Sequence, residues 1–402
     1  MRKILSNVRF EQYPSKTPIK VICGPRKVGK TTSVKALITK SDIYYKFEHR
    51  KRDQIKVLSA LIFQADKEKK SCIYIDNVHK INDWWDVIGY YNLVFPDIAI
   101  IVISSSKSAI YGALKSGVTN ESNLFHVTHW NFKEANDTFK IDLKTYVEFG
   151  CYPDGFPKLP NFQKWKDFII NDIVQESINE ELAQLATTTK KKFLKNLLKL
   201  CVKYPAQVLS YKKIREEILG IGSFKKAQKL FQHLQSANLV SIVPSFSYIK
   251  SPTKQSNPKI VIHDNGLIRA FEELCERPLN PIRYEYYVKN AVGARLLEAG
   301  LQVYYWARNK NYVDFIARDK KGMLYAICAF DHVPHTHELE GLRYFYKKNA
   351  GVHPLVVISD DVYNEKYIYE FEALKLSDVL SIDSNNYRIL EGHRDFYKEM
   401  LF

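Results

Sequence analysis

The sequence predicts an α/β protein built in more than one domain, and three observations predict it. Between about residues 15 and 130, short β-branched runs alternate with stretches of helical period, the pattern of a parallel sheet. After Gly150 the Pro/Gly-rich segment CYPDGFPKLP interrupts that pattern, and helical periodicity follows it. Strand-like runs then return beyond Arg277–Pro281. A chain of 402 residues with 46% hydrophobic composition can bury two or three cores of ordinary size. The boundaries read from these shifts are 1–145, 146–185, 186–276 and 277–402.

Taken in order, PIKVIC (18–23) is a buried strand ending at Gly24, and TSVKALITK places Val34, Leu37 and Ile38 on one helical face. Further strands are expected at Ile43–Phe47, Cys72–Ile75, Ile98–Ile103 and Leu124–Val127, with helices at Gln54–Ala65 and Asp83–Leu93 between them. Beyond the connector, helices are expected at Trp165–Ala186 and Phe193–Val202. Ser210 and Ser223 are N-cap residues for two more, with Gly220 and Gly222 in the turn between. Strands at Leu239–Val243 and Lys259–Ile262, joined by a polar loop with Ser251 and Pro252, complete a three-helix-plus-hairpin plan, that of a winged helix. The last third reads as a helix (Tyr284–Leu297), strands at Val303–Ala307, Val313–Ala317 and Leu324–Ala329, a helix at Leu339–Lys348 and a strand at Pro354–Ile358.

Composition narrows the function. No apolar run approaches the roughly 18 residues that span a bilayer, so no membrane association is expected. The opening MRKILSNVRFEQYPSK lacks the apolar region and small-residue cleavage site of a signal peptide. The six cysteines are scattered and show no CxxC pair, which suits reduced thiols in a cytoplasmic protein (or a nuclear one, where the source has a nucleus). The formal charge is +16, and residues 186–259 hold fifteen Lys or Arg against two acids. So concentrated a charge attracts phosphate backbones, or it marks solvated helix faces in a lysine-rich chain; composition leaves both open.

Chemistry enters at Gly24-Pro25-Arg26-Lys27-Val28-Gly29-Lys30-Thr31, a match to GxxxxGK[ST] lying after a strand and before a helix. Such a loop turns main-chain amides around a triphosphate, here over Gly24–Thr32. Lys30 would reach the β- and γ-phosphates and the Thr31 hydroxyl would ligate Mg²⁺, so ATP and Mg²⁺ are the expected ligands. Cys72-Ile-Tyr-Ile-Asp76 is the partner element, an apolar strand ending in a carboxylate that holds Mg²⁺ through water. Asn77 follows where a glutamate would deprotonate the attacking water; an amide positions water but accepts no proton. Glu48, ending YYKFE, is either a substitute base or a loop acid. Ser104, Ser105 and Ser106 either sense the γ-phosphate or cap the next helix.

GPRKVGKTT, IYIDNVHKINDWWD and IIVISSSKSAIY together resemble a widespread prokaryotic AAA+-type ATPase family, whose segments read GPRxVGKTT, DExQ followed by Trp, and TGSS. YVEFGCYPDGFP, PKIVIHDNGLIRAF and the C-terminal YEYYVKNAVGARLL … YYWARNKNYVDFIA extend the likeness over essentially the whole chain. The resemblance implies a P-loop NTPase parallel sheet, then a winged-helix domain, then a C-terminal α/β restriction-endonuclease-like (PD-(D/E)xK-like) domain of unknown function. Asn77 and His79 depart from the family's Glu and Gln. In a metal-dependent nuclease of that fold, Glu285 and Asp314 would hold the first two acidic positions, but Cys328 and Phe330 stand where ExK is required. An inactive nuclease fold is therefore expected.

Three weaker features complete the reading. Asp331–Glu340, with His332, His335 and His337, fits no standard zinc spacing and reads as a polar loop. Trp84–Trp85 reads as core packing or a domain contact or, less simply, a platform for base stacking. In the winged helix, Lys212, Lys213 and Arg215 on one helix and Lys225, Lys226 and Lys229 on the next are the candidate DNA or RNA contacts, though such a module also docks proteins. The leading expectation is an ATP-binding switch with slow or partner-dependent hydrolysis. An ATP-stimulated nuclease and a non-hydrolysing scaffold are the alternatives, and a homo-oligomer stays open.

Overall fold

The computed structural model describes residues 19–48, 53–182, 188–218, 220, 223–247, 257–272, 284–349, 351–384 and 386–391. The N-terminal segment, Gly222, the loop with Ser251 and Pro252, Cys275 and the boundaries expected at 185/186 and 276/277 lie outside them. The chain forms two compact units, 1–129 and 130–402.

The first unit is a parallel sheet of five strands in the order β2-β3-β4-β1-β5: β1 (Lys20–Cys23), β2 (Asp42–Lys46), β3 (Cys72–Asp76), β4 (Ala99–Ser104) and β5 (Leu124–His126). Every residue of β3 and β4 is buried, as the unbroken apolar runs require of central parallel strands. Between the strands lie α1 (Lys30–Lys35), α2 (Gln54–Lys67), α3 (Trp84–Val94) and α4 (Lys107–Lys115). Leu58, Ile62, Trp84 and Ile88 from α2 and α3 pack with Ile73, Ile75, Ile100 and Val102 of the strands in one core. Trp84 is fully buried there, the packing role read from the sequence. The register aligns Cys23 with Ser104 and Ile103 with Asp76, so the carboxyl ends of β1, β4 and β3 come together.

The first helix is shorter than its apolar face suggests. It ends at Lys35, and Leu37 N–H bonds Val34 O as the chain leaves it. Two hydrogen bonds from Thr39, N–H and hydroxyl, reach the Asp42 carboxylate at 2.7 and 2.8 Å and build the turn into β2. That turn takes residues the helix would need.

The second unit opens with α5 (Phe132–Phe139) and α6 (Leu143–Phe149), then α7 (Phe162–Asp167), a π-helical stretch (Phe168–Gln175) and α8 (Glu176–Leu182). Next come α9 (Thr188–Lys203), α10 (Tyr211–Glu217) and α11 (Phe224–Ser236), followed by the antiparallel pair β6 (Val240–Val243) and β7 (Lys259–Ile262). Ser210 and Ser223 do cap α10 and α11, accepting from Lys213 N–H and Lys226 N–H. A bridge from Val208 also reaches Lys259. Two helices, α12 (Asn265–Phe271) and α13 (Tyr284–Glu298), lead to a mixed six-stranded sheet. Its strands are β8 (Gln302–Arg308), β9 (Asn311–Arg318), β10 (Leu324–Phe330), β11 (Val352–Ile358), β12 (Tyr367–Ile368) and β13 (Phe371–Lys375), in the order β12-β13-β11-β10-β9-β8. Helix α14 (Glu340–Lys348) crosses between β10 and β11, and α15 (Leu376–Leu380) follows β13.

Buried amides weld these pieces. The Asn290 side chain on α13 bonds both the N–H and the carbonyl of Ile262 at the end of β7, and donates to Asn265 on α12 at 2.7 Å. Asn265 in turn donates to the carbonyls of Val147 and Tyr287. Asp264 accepts from the N–H groups of Cys151 and Gly266 at 2.6 and 2.8 Å, and a Cβ on Gly150 would fall 2.2 Å from its carboxylate. The Pro/Gly connector is thus bound into the unit through Cys151 N–H, and Gly150 leaves room for the carboxylate that accepts it. Among the described residues, no helix is long and apolar enough to cross a membrane.

Candidate functional sites: a hydroxyl-lined carboxylate and a sealed one

The loop after β1 occupies the edge where the register gathers the strand ends. Gly24 has φ 148°, and a Cβ there would lie 1.9 Å from Val127 O; only glycine fits. Lys27 (φ 56°) and Gly29 (φ 94°) take left-handed backbone around Val28, an alternation of hand that forms concave amide nests. Pro25 and Val28 are buried, while Arg26 and Thr31 are half-buried and Lys27 and Thr32 exposed. Lys30 is nearly buried, its ammonium held by the carbonyls of Gly24 (2.8 Å) and Pro25 (2.5 Å).

Asp76, at the end of β3, is 1% exposed, and its donors among the described residues are neutral. Its Oδ2 accepts from the Thr31 hydroxyl (2.6 Å) and the Tyr44 phenol (2.8 Å), and its Oδ1 accepts from Asn77 N–H (2.8 Å). Burial, with Asp76 beside it, raises the Tyr44 phenol above its ordinary pKa, so it stays a donor at neutral pH. Tyr44 is a partner the sequence reading missed, since nothing in DIYYK reveals that β2 lies against β3. Burial also pushes the Cys23 thiol up to about 12, which leaves it protonated and inert.

The remaining expected residues are placed as follows. Asn77 is left-handed (φ 57°) and its carboxamide Nδ2 donates to Phe47 O at 3.1 Å. Glu48 is exposed, 3.9 Å from the Lys46 ammonium, and its carbonyl accepts from Lys80. Ser106 caps α4, accepting from Ala109 N–H, so the capping role falls to it. Ser104 is fully buried, its hydroxyl 3.4 Å from Nδ1 of the buried His79.

Residues 16–136 match the model of a family described as an AAA domain. This part of the chain is an AAA-type P-loop domain. Residues 140–277 match a domain of unknown function (DUF8612). An uncharacterized protein of Haemophilus influenzae is 22% identical over 398 residues, covering 92% of this chain and 96% of its own length. Among solved structures, the Walker-type ATPase PABY2304 of Pyrococcus abyssi is 13% identical, with a TM-score of 0.44 over 63% of this chain and 91% of that one. The ORC1 protein of Aeropyrum pernix, solved in complex with DNA, is 12% identical, with a TM-score of 0.28 over 67% and 90%.

Outside the AAA domain the structure brings a second set of expected residues together, with a different character. Asp314 on β9 is as buried as Asp76, but two of its partners are cations. Lys259, fully buried at the head of β7, places its ammonium 2.7 Å from the Tyr312 hydroxyl, 2.8 Å from Asp314 O and 3.4 Å from Asp314 Oδ1. Lys289 on α13 lies 3.8 Å from Asp314 Oδ2 and pairs with Glu285 one turn earlier. Tyr312 hydroxyl and Ala329 N–H fill the carboxylate's other sites at 2.6 and 3.1 Å.

Burial lowers Lys259 to about 8 against the pull of Asp314. Burial also opposes charge on Asp314 and Lys289, but Lys289 and Lys259 hold the Asp314 carboxyl below its usual range. Asp314 and Glu285 in turn hold Lys289 above its own. Two ammonium groups thus face two carboxylates, and the charge is already balanced.

A partial signal was present, since a lysine heading an apolar run (KIVI) needs a buried partner. Its partner lies 55 residues away. In the histidine-rich loop, His332 sits between Asp331 (2.8 Å) and Glu338 (3.2 Å).

On the three-helix segment, Lys213 rests 3.7 Å above the Tyr204 ring and Lys226 4.4 Å above Phe193 while donating to Gly220 O. Lys212 pairs with Glu216 at 3.9 Å with both groups well exposed; Arg215, Lys225 and Lys229 are exposed.

Proposed function

We propose that this protein is an ATP-binding switch whose AAA domain holds Mg·ATP and whose second unit answers to it by binding nucleic acid. The observation that carries the first half is the convergence of Lys30, Thr31 and Asp76 at the edge of one sheet. The residues fit the ligand. Gly24 lets the loop pass against the Val127 carbonyl, where a Cβ would clash, and the Lys30 ammonium is held by loop carbonyls that a phosphate can replace. Thr31 and Asp76 supply the hard oxygen donors that suit Mg²⁺.

When bound, ATP supplies the γ-phosphate that tells one state of the switch from the other. The amides of Gly24–Thr32 would hold the phosphates, Lys30 would offset their charge, and Thr31 with Asp76 would hold the metal. Hydrolysis is slow in this reading. Asn77 accepts no proton, its amide nitrogen is spent on Phe47 O, and Glu48 points its charge at Lys46 in solvent.

The second half rests on the exposed basic residues of α10 and α11, among Lys212, Lys213, Arg215, Lys225, Lys226 and Lys229, in a segment we read as a winged helix. Lys213 and Lys226 serve that module's own packing, which leaves Lys212, Arg215, Lys225 and Lys229 for the partner. A nuclease reading is set aside because Glu285 and Asp314 are neutralised by Lys259 and Lys289.

The test is linkage. ATP affinity measured by calorimetry, with and without duplex DNA, and DNA affinity with and without ATP, must change by the same factor. Lys30→Ala must abolish both changes. Absence of ATP uptake by the parent protein sinks the proposal, and equal factors of one reduce it to a scaffold.

A further inference from the structure

The densest run of positive charge on this chain lies on α9, which the reading above does not use. From 188 to 229 the sequence holds twelve Lys or Arg against two acids, Glu216 and Glu217. Both acids have internal partners, Lys212 and Lys203. The apolar side of α9 is spent inward, with Leu194, Leu197, Leu198 and Cys201 buried. Lys192, Lys195 and Lys199 are exposed at spacings of three and four, which puts them on one face of the helix.

The Lys226 ammonium over the Phe193 ring joins this row to α11, whose exposed Lys225 and Lys229 form a second pair one turn apart. Across α9 the exposed side between Lys192 and Lys199 carries Asn196 and no apolar residue.

We infer that the α9 row, Lys192, Lys195 and Lys199, is a backbone-tracking ridge for one strand of a duplex nucleic acid, beside the contacts proposed for α10 and α11. This rests on the nucleic-acid half of the proposed function. The spacing carries the choice of partner. Seven residues of helix rise about 10 Å, so three ammonium groups span about 10 Å. One strand of a duplex presents a phosphate every 3.4 Å along its axis, about three over the same length. A membrane surface would be met by a helix with apolar side chains to insert, and this face has none. No base contact is assigned to the ridge, so its contribution is independent of sequence and falls with salt.

The test uses the full chain and a fluorescein-labelled 20-bp duplex of arbitrary sequence, read by anisotropy from 50 to 200 mM NaCl. Four proteins are compared with the parent. Lys192→Glu/Lys195→Glu/Lys199→Glu removes the ridge, and the corresponding Gln triple repeats the test without charge reversal. Arg215→Glu/Lys225→Glu/Lys229→Glu removes the α10–α11 contacts. Lys320→Glu/Lys347→Glu/Lys348→Glu changes net charge equally at exposed positions elsewhere.

The expected result is at least a tenfold loss of affinity for the ridge variants, with a salt slope shallower by about 2 to 3, since each phosphate contact contributes about 0.9. The distant triple should stay within about threefold of the parent, at the scale of a general charge effect. If the ridge triple behaves like the distant triple while the α10–α11 triple loses binding, the ridge is refuted and the proposed function stands. Failure of the parent to bind the duplex refutes both. Binding of the parent to anionic vesicles in place of the duplex would assign the face to a lipid surface and overturn the inference.

Discussion

Asp76 and Asp314 are buried to the same degree, one at the end of β3 and the other within β9, and each accepts a short hydrogen bond from a tyrosine. They differ in what surrounds them. Asp76 is met by two hydroxyls and a main-chain amide, all neutral, so a negative charge stays available for a cation. Asp314 is met by two ammonium groups, which cancel its charge and that of Glu285. A buried carboxylate is therefore a sign of neither function nor structure by itself. The charge on its donors decides which.

The largest effect that could break this contrast is expected at Lys259. Lys259→Met leaves Asp314 short of its counter-ion and should cost about 3–5 kcal/mol in the second unit, as for other broken buried pairs. Urea unfolding followed by tyrosine and tryptophan fluorescence measures it. A loss below about 1 kcal/mol would show that the pair is solvated and the site open.

Next in size is Lys30→Ala. It should lower ATP affinity about a hundredfold, or roughly 2.7 kcal/mol, while leaving the melting temperature unchanged. The same ammonium cannot be both a phosphate ligand and a pillar of the fold, so a large drop in stability would blur the distinction.

The third expectation concerns acid. Lys289 and Lys259 hold Asp314 below its ordinary pKa, so its contribution is full above about pH 4 and disappears as pH falls through the lowered value. In Asp314→Asn the stability of the second unit should change less steeply below about pH 4 than in the parent, as read by acid unfolding. An identical slope would place the acid-sensitive groups elsewhere.

The smallest effect is that of Tyr44→Phe. One neutral hydrogen bond to Asp76 is removed, worth about 1 kcal/mol or less, and ATP affinity without metal should not move. The Mg²⁺ concentration that gives half-maximal nucleotide binding should fall, because a carboxylate with fewer donors attracts the metal's waters more strongly. A rise would make Tyr44 a support for the metal position.

Much of the AAA domain was legible because its signals are local. GPRKVGKT carries its own backbone requirements, and the runs that became β3 and β4 have no polar interruption before their last residue. The early end of α1 was not legible, because Asp42 captures Thr39 through a turn whose pieces look helical one by one. Strand β12 is two residues long, and β13 with α15 carries too little periodic pattern to announce itself.

The donor sets depended on topology. Tyr44 meets Asp76 only because β2 pairs with β3, and Lys259 meets Asp314 across 55 residues of chain. The cations that meet Asp314, Lys259 and Lys289, come from a strand and a helix that no motif links.

The Lys259 ammonium also sets how the molecule can be dissected. A fragment that stops between β7 and β9 would keep the lysine while losing its anion, and so strand a cation in apolar surroundings. Cutting just after His129 spares that contact. Shortened versions meant for study should therefore carry residues 130 onward as one piece.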